Sequence, residues 1–232
     1  MPILELKNLT RYFGGLAAVN KLNLTLEPGE ILGLVGPNGS GKTTVFNLIT
    51  GVYKPTAGKV ILSSDGNTED VTGLKPHQIA KRGILRTFQL LTLFGDFTVM
   101  ENMLMAFHLK RKTGLGQSLV NTRDSQQEET VLRDKARHIL RLTGIEPLAD
   151  ELARNLPYGS RRALGLALAL ASEPRVLLLD EPFTGMTAEE TEAMLATVRK
   201  INQEQGTSIV VVEHNMRAVV SISQRMVAMN FG

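Results

Sequence analysis

Ile31-Leu32-Gly33-Leu34-Val35-Gly36-Pro37-Asn38-Gly39-Ser40-Gly41-Lys42-Thr43-Thr44 is the stretch that decides the fold. Residues 31–35 are a short apolar run, the pattern of a strand buried on both faces. Residues 36–43 fit G-x-x-x-x-G-K-[ST], the P-loop pattern, and helical patterning follows from about Lys42 to Thr50. Strand, glycine-rich loop and helix thus come in the order a phosphate cradle requires. Gly36, Asn38, Gly39, Ser40 and Gly41 shape a loop whose successive N–H groups turn toward phosphate oxygens. The helix N-terminus adds a partial positive charge. Lys42 brings a full charge to the β- and γ-phosphates, Thr43 offers a hydroxyl to Mg²⁺, and Thr44 reaches the α-phosphate.

A P-loop needs a second carboxylate on the metal side, at the end of a neighbouring strand. Val176-Leu177-Leu178-Leu179-Asp180-Glu181 supplies it. Four apolar residues bury the strand, and Asp180 emerges at its C-terminal end, where open α/β sheets bind their ligands. Asp180 is expected to hold Mg²⁺ through water, and Glu181 to orient and deprotonate an attacking water.

Working outward, Ile3, Leu4, Leu6, Leu9 and then Leu22, Leu24, Leu26 recur with a period near two, which predicts antiparallel strands. A strand is expected over 59–62, with the polar stretch 63–70 a loop. From 101 to 152 the pattern is helical, interrupted at 113–130 by a polar interval that reads as a loop or a frayed helix. Strand signal returns at 176–179. Thr187 with Glu190 forms a capping box that opens a helix from Ala188 to about Gln205, and Gly206 ends it. Ser208–Val212 is a β-branched strand, followed by a short helix and a last strand over 226–229. Together these predict an α/β fold: a P-loop NTPase core with a mostly parallel sheet, an N-terminal antiparallel β-subdomain and a helical insertion. The expected boundaries are 1–88 with 172–232 for the core and 89–171 for the insertion.

Composition removes other readings. The 232 residues are 43% hydrophobic and 21% charged, a globular balance, and none is cysteine, which excludes a disulfide framework, a thiolate zinc site and a cysteine nucleophile. Lys and Arg exceed Asp and Glu by 26 to 23, and no basic stripe interleaved with aromatics appears, so a nucleic-acid partner is not expected. No segment reaches the roughly 18–20 apolar residues that cross a bilayer. A GTPase would carry a guanine-reading N-K-x-D after the P-loop; Asn20-Lys21-Leu22-Asn23 lies before it and lacks the aspartate. His77, His108 and His138 read as surface or packing residues.

Five further features, in order, resemble the ATP-binding cassette family. Phe13, before Gly14-Gly15, stands where that family places the aromatic that stacks on adenine, with Tyr12 the alternative. Gln89, in Arg86-Thr87-Phe88-Gln89, resembles the Q-loop glutamine. Leu156-Pro157-Tyr158-Gly159-Ser160 occupies the place of the L-S-G-G-Q signature. Thr184-Gly185-Met186-Thr187 takes the D-loop position, and His214, in Val212-Glu213-His214-Asn215, resembles the switch histidine. Arg86-Thr87-Phe88-Gln89, then Leu93-Phe94 and Phe97-Thr98-Val99-Met100-Glu101-Asn102, the Tyr158-Gly159 variant and the polar insert after Lys112 resemble the ATPase subunits of branched-chain amino-acid importers. Urea and polar amino-acid importers share much of this set.

The resemblance implies a function and a set of partners. Two copies, or this chain and a paralogue, sandwich two ATP with Mg²⁺ head to tail. The partner's signature loop, Tyr158-Gly159 here, donates N–H groups to the γ-phosphate. Glu181 polarises water, Gln89 contacts Mg²⁺ or that water, and His214 steadies the γ-phosphate. Transmembrane permease subunits receive the resulting motion through residues 90–102, and an external solute-binding protein is an indirect partner. The implied place is the cytoplasmic face of a bacterial or archaeal cell membrane, as a peripheral subunit. The resemblance also implies a further strand and helix after Asn230-Phe231-Gly232, so the last strand is expected to lack a partner, through shortening or with dimer and sheet edges compensating.

Two departures matter. Pro157 replaces the signature serine, and proline brings neither a hydroxyl nor an N–H; Ser160 replaces the final glutamine. One reading is drift at a loop whose shape still works, since proline suits a helix start. The other is a weakened trans site in the poorer half of a heterodimer, a hydrolysis-impaired partner. Thr187 replaces the D-loop aspartate or asparagine. If the trans site is weakened, Pro157→Ser raises ATP turnover of the assembled complex; steady-state phosphate release that stays level or falls rejects that reading.

Overall fold

The structure, a computed structural model, describes residues 1–64, 66–87, 93–110 and 123–230. The chain divides into two compact units, Met1–Gln89 with Pro174–Gly232, and Leu90–Glu173.

The first unit holds two sheets. β1 (Leu4–Phe13) and β2 (Leu16–Leu26) pair antiparallel, and β4 (Ala57–Ser64) and β5 (Asn67–Asp70) extend them in the order β2-β1-β4-β5. The alternation read in the sequence is the reason: Leu4, Leu6, Leu24 and Leu26 are buried, and their neighbours along each strand are less so. The loop expected over 63–70 is a hairpin arm instead. Leu62 faces Glu69 and Ser63 faces Thr68 in antiparallel register. All four residues of β5 are exposed, so no apolar alternation marks it.

The second sheet is parallel throughout. β3 (Ile31–Val35), β6 (Ile84–Thr87), β7 (Val176–Asp180), β8 (Ser208–Val212) and β9 (Arg225–Ala228) lie in the order β6-β7-β8-β3-β9. Every residue of β3, β7 and β8 is buried, as continuous apolar runs require when both faces are covered. Four helices accompany these strands: α1 (Lys42–Ile49), α2 (Pro76–Ala80), α6 (Ala188–Gln205) and α7 (Met216–Ile222). A single core links both sheets through Leu6, Leu26, Leu34, Val45, Phe46 and Val210; fully burying each such side chain stabilises by about 1.5–3 kcal/mol. At Gly33 a Cβ would come 2.5 Å from Val219 Cγ1, so α7 lies against β3 where β3 has no side chain.

The second unit contains α3 (Val99–Lys110), α4 (Arg123–Leu142) and α5 (Tyr158–Leu170), which pack on one another. Met103, Phe107, Leu140, Leu164 and Ala167 are buried there. Thr98 and Glu101 cap α3 reciprocally: Thr98 N donates to Glu101 Oε2 at 2.7 Å and Glu101 N to Thr98 Oγ1 at 3.1 Å. The buried Asn102 side chain accepts from Phe94 N and donates to the carbonyls of Phe94 and Thr98, fixing the turn before the helix. The helical pattern expected as far as 152 stops at Leu142. Gly144 and Pro147 break it, and short 3₁₀ turns at Glu146–Leu148 and Ala153–Asn155 follow. Residues 123–130, inside the interval read as loop or frayed helix, belong to α4; residues 113–122 lie outside the described residues. Among the described residues no helix is long and apolar enough to cross a membrane.

α6 shows the capping read from sequence: Thr187 Oγ1 accepts from Glu190 N at 3.2 Å, Glu190 Oε2 accepts from Thr187 N at 2.9 Å, and Gly206 closes the helix at φ 65°. A Cβ at Gly206 would meet nothing within 4 Å, so Gly206→Ala tests the backbone alone. It is expected to cost about 1–2 kcal/mol and to lower Tm by about 2–4 °C per kcal/mol in a chain of this size, read by thermal unfolding, with Gly206→Asn losing less.

Candidate functional site

The glycine-rich loop closes onto α1. Gly41 holds φ 99° as the residue before the helix; among the described residues no side-chain capping bond closes the start of α1, and its first turn holds no acid. A Cβ at Gly41 would lie 2.2 Å from the Ala18 carbonyl, and one at Gly36 would lie 2.3 Å from the Met229 carbonyl. Only glycine fits either position. The first N–H groups of a helix have no intrahelical acceptor, so the start of α1 is an electropositive, donor-rich end.

Lys42 is buried, and its ammonium donates to the carbonyls of Gly36 and Pro37, both at 2.8 Å. Burial pushes the Lys42 pKa below the ordinary lysine value, while the negative charges of Glu181 and Asp180 oppose that shift. The lysine is therefore tied to its own loop by neutral oxygens, contacts that an anion can replace.

The second half of the site comes from the ends of β7 and β8. Asp180 is buried and accepts from Arg86 Nη2. Arg86 Nη1 also donates to Asn47 Oδ1 of α1 at 2.6 Å, and the guanidinium lies 5.6 Å above the Phe46 ring. Glu181 adopts φ 47°, and its N–H donates to Val212 O at 2.8 Å. Its Oε1 lies 3.1 Å from His214 Nε2, and its Oε2 accepts from Thr184 Oγ1 at 3.4 Å.

A cavity of about 290 Å³ gathers these groups. Asn38, Gly39, Gly41, Lys42, Thr43 and Thr44 line it together with Glu181 and His214, and Leu16, Ala17 and Ala18 of β2 complete it. Gly36, Ser40 and Asp180 are not part of that lining, and Ser40 and Asp180 are buried. The Ser40 hydroxyl is buried with no hydrogen-bond partner among the described residues. Phe13 is outside the lining: its ring packs edge-to-face on Tyr53 at 5.3 Å, with the Arg11 guanidinium 4.7 Å from its centroid. Gln89 lies outside the described residues. Tyr158 and Gly159 open α5 in the second unit, after an extended Pro157 whose side chain gives no capping bond. The Tyr158 hydroxyl accepts from Arg162 at 2.7 Å.

Arg86, Asn47 and Glu213 carry no functional role legible in the sequence. The available signals were an arginine in a strand of the parallel sheet and an acid directly before His214. Neither identifies a partner without the fold.

A family model described as "ABC transporter" matches residues 19–184. The chain belongs to the ATP-binding cassette transporter family. It is 41% identical over 231 residues to the high-affinity branched-chain amino acid transport ATP-binding protein LivG of Escherichia coli K12, covering 100% of this chain and 89% of that one. It is similar to the crystal structure of the ADP conformation of MJ1267, an ATP-binding cassette of an ABC transporter, with TM-score 0.84 and 28% identity over 100% of this chain and 89% of that chain. It is also similar to the dimeric post-hydrolysis state of the cassette MJ0796 bound to ADP and Pi, with TM-score 0.76 and 26% identity over 99% and 95% of the two chains. The chain is thus a cassette ATPase.

The Arg86–Asp180 pair is buried on both sides, at 9% and 7% side-chain exposure. Removing one partner of such a pair strands the other charge, at a cost of about 3–5 kcal/mol. Arg86→Met is expected to lower stability by that amount in urea unfolding, and Arg86→Met with Asp180→Asn to recover part of it.

Proposed function

We propose that the chain is the ATP-hydrolysing subunit of a membrane importer for branched-chain or related amino acids, working as one half of an ATP-sandwich dimer. The observation that carries the chemistry is a cavity that sets the P-loop residues beside the Glu181–His214 pair. The amino-acid class is supported by the identity to LivG, and the dimer by the likeness to the dimeric MJ0796 cassette.

In this reading Lys42 exchanges its two loop carbonyls for phosphate oxygens, and the N–H groups at the start of α1 complete the cradle. Glu181 accepts a proton from water as the water oxygen attacks the γ-phosphorus; the bond from that phosphorus to the β–γ bridging oxygen breaks, leaving ADP and phosphate. His214 holds the Glu181 carboxylate by its Nε2 and steadies the γ-phosphate. Phe13, with part of its ring exposed, stacks on adenine. Tyr158 and Gly159 serve the nucleotide of the partner cassette, where Pro157 lacks the donors of a serine. That lack is what favours the second reading, a hydrolysis-impaired member of a heterodimeric pair.

Mg²⁺ fits the donor set. Among the described residues no cluster of three acids or histidines could hold a metal alone, which suits a cation that keeps several waters and takes one or two protein oxygens plus phosphates. Thr43, Asp180 and Gln89 would hold it, and when bound it neutralises charge on the β- and γ-phosphates. Permease subunits in the membrane, an external solute-binding protein and a peripheral place on the cytoplasmic face complete the proposal.

The test uses the complex copurified from membranes. Glu181→Gln is expected to cut steady-state ATP hydrolysis by about 10²–10⁴ while ATP still binds, and Lys42→Ala to lose ATP binding itself. Hydrolysis that survives Glu181→Gln overturns the assignment of the base, and copurification without permease subunits overturns the importer.

A further inference from the structure

Glu213 is a buried acid whose charge no lysine or arginine among the described residues balances. It lies directly after β8 and is 3% exposed. A carboxylate taken out of water is costly unless its oxygens are hydrogen-bonded. Here three backbone N–H groups do that work. Oε1 accepts from Phe183 N at 2.8 Å; Oε2 accepts from His214 N at 2.8 Å and from Asn215 N at 3.3 Å.

These donors belong to two different turns. Phe183 lies in the turn after β7 that starts at Glu181, and it is itself buried. In the same turn Thr184 N donates to Glu181 O at 3.4 Å and Thr184 Oγ1 reaches the Glu181 carboxylate. His214 and Asn215 lie in the turn after β8, and Asn215 Oδ1 caps α7 by accepting from Ala218 N at 3.2 Å. The two turns carry the two members of the pair that lines the nucleotide cavity. A closed circuit results: the Glu181 side chain to the His214 ring, the His214 N–H to Glu213, Glu213 to the Phe183 N–H, and the backbone from Phe183 to Glu181.

We infer that Glu213 is a positioning residue for ATP hydrolysis, setting the approach of the His214 imidazole to the Glu181 carboxylate through the turns that bear them. The inference rests on the reading of Glu181 and His214 as the hydrolytic pair. Glutamate is the side chain the site needs. All three partners are donors, and a carboxylate presents acceptors at both oxygens. Glutamine must turn its NH₂ toward Phe183 N–H or toward the His214 and Asn215 N–H groups, so one turn always loses its acceptor. Aspartate is one methylene too short to span both turns.

The experiment compares Glu213→Gln with the parent in the assembled complex, alone and in a His214→Ala background. The expected result is a kcat for ATP lower by about tenfold to a hundredfold, the scale of a misplaced reacting group, with the ATP dissociation constant changed by less than about threefold. In the His214→Ala background the same substitution is expected to add no further loss. Unchanged kcat, or an equal fold-loss in both backgrounds, overturns the inference. Should Glu213→Gln fail to fold, amide exchange of the unaltered protein decides: Phe183 and His214 N–H are expected to be protected, and exchange at the rate of an open amide overturns it. Glu181→Gln separates the levels. If that variant is dead and Glu213→Gln is unaffected, only Glu213 loses its role; if Glu181→Gln still hydrolyses, the hydrolytic pair itself was misassigned.

Discussion

The parallel register of β3, β8 and β7 is the constraint on which the site depends. Val212 is flanked by Leu34 on one side and Asp180 on the other. The three strands therefore end within one residue of a common level, and their continuations emerge at the same edge: the glycine-rich loop after Val35, Glu181 after Asp180, Glu213 and His214 after Val212. All residues of the three strands are buried, so side-chain alternation does not set this register. The ends do. Sliding β7 inward by one residue would carry the Glu181 charge into the sheet, and sliding it outward would leave Leu179 where Asp180 meets Arg86. The Glu181 N–H to Val212 O bond adds a last contact where the ladder closes.

Four charges sit in or beside this edge, and each is held differently. Lys42 is bound by two carbonyls, Asp180 by the Arg86 guanidinium, Glu213 by three amides, and Glu181 by a hydroxyl and an imidazole. The differences match the roles proposed for each group. Arg86 and Glu213 bind elements to one another, Arg86 joining α1 to β7 through Asn47 and Asp180, and Glu213 joining two turns. Their partners are fixed parts of the fold. Lys42 and Glu181 line the cavity, and in the proposed reading a phosphate and a water displace their contacts without stranding a buried charge.

Local rules made much of this legible. α6 was readable from Thr187, Glu190 and Gly206 because capping depends on near neighbours. β3, β7 and β8 were readable because a parallel strand buried on both faces needs an unbroken apolar run. Lys42, Asp180 and Glu181 stood out because each comes after such a run or closes a glycine loop, and His214 through its resemblance to the switch histidine of the cassette family. What sequence missed is non-local. β5 is polar and exposed, and only its pairing with β4 makes it a strand. Arg86 meets Asp180 across two adjacent strands, and Glu213 meets Phe183 across a helix and a strand; neither distance has a signature along the chain. Leu16, Ala17 and Ala18 enter the cavity wall because of how β2 folds beside the loop, which their small apolar character does not announce.

Glu181 shows how the fold sets chemistry at the cost of local strain. A non-glycine residue at φ 47° is uncommon, and such positions cost about 1–3 kcal/mol where the surroundings hold them. Glycine would relieve the strain and remove the carboxylate. The left-handed step bends the chain immediately after Asp180, so that two consecutive acids separate: Asp180 stays buried against Arg86, and Glu181 enters the cavity beside His214. Had the strand continued, alternation would have sent the second acid to the opposite face of the sheet, into the core. The Val212 carbonyl, Thr184 and His214 all grip Glu181 after the bend, and Glu213 fixes the turns from which Thr184 and His214 reach it. The strained residue and the buried acid are therefore parts of one device, the first directing a carboxylate into the cavity and the second keeping its neighbours in place.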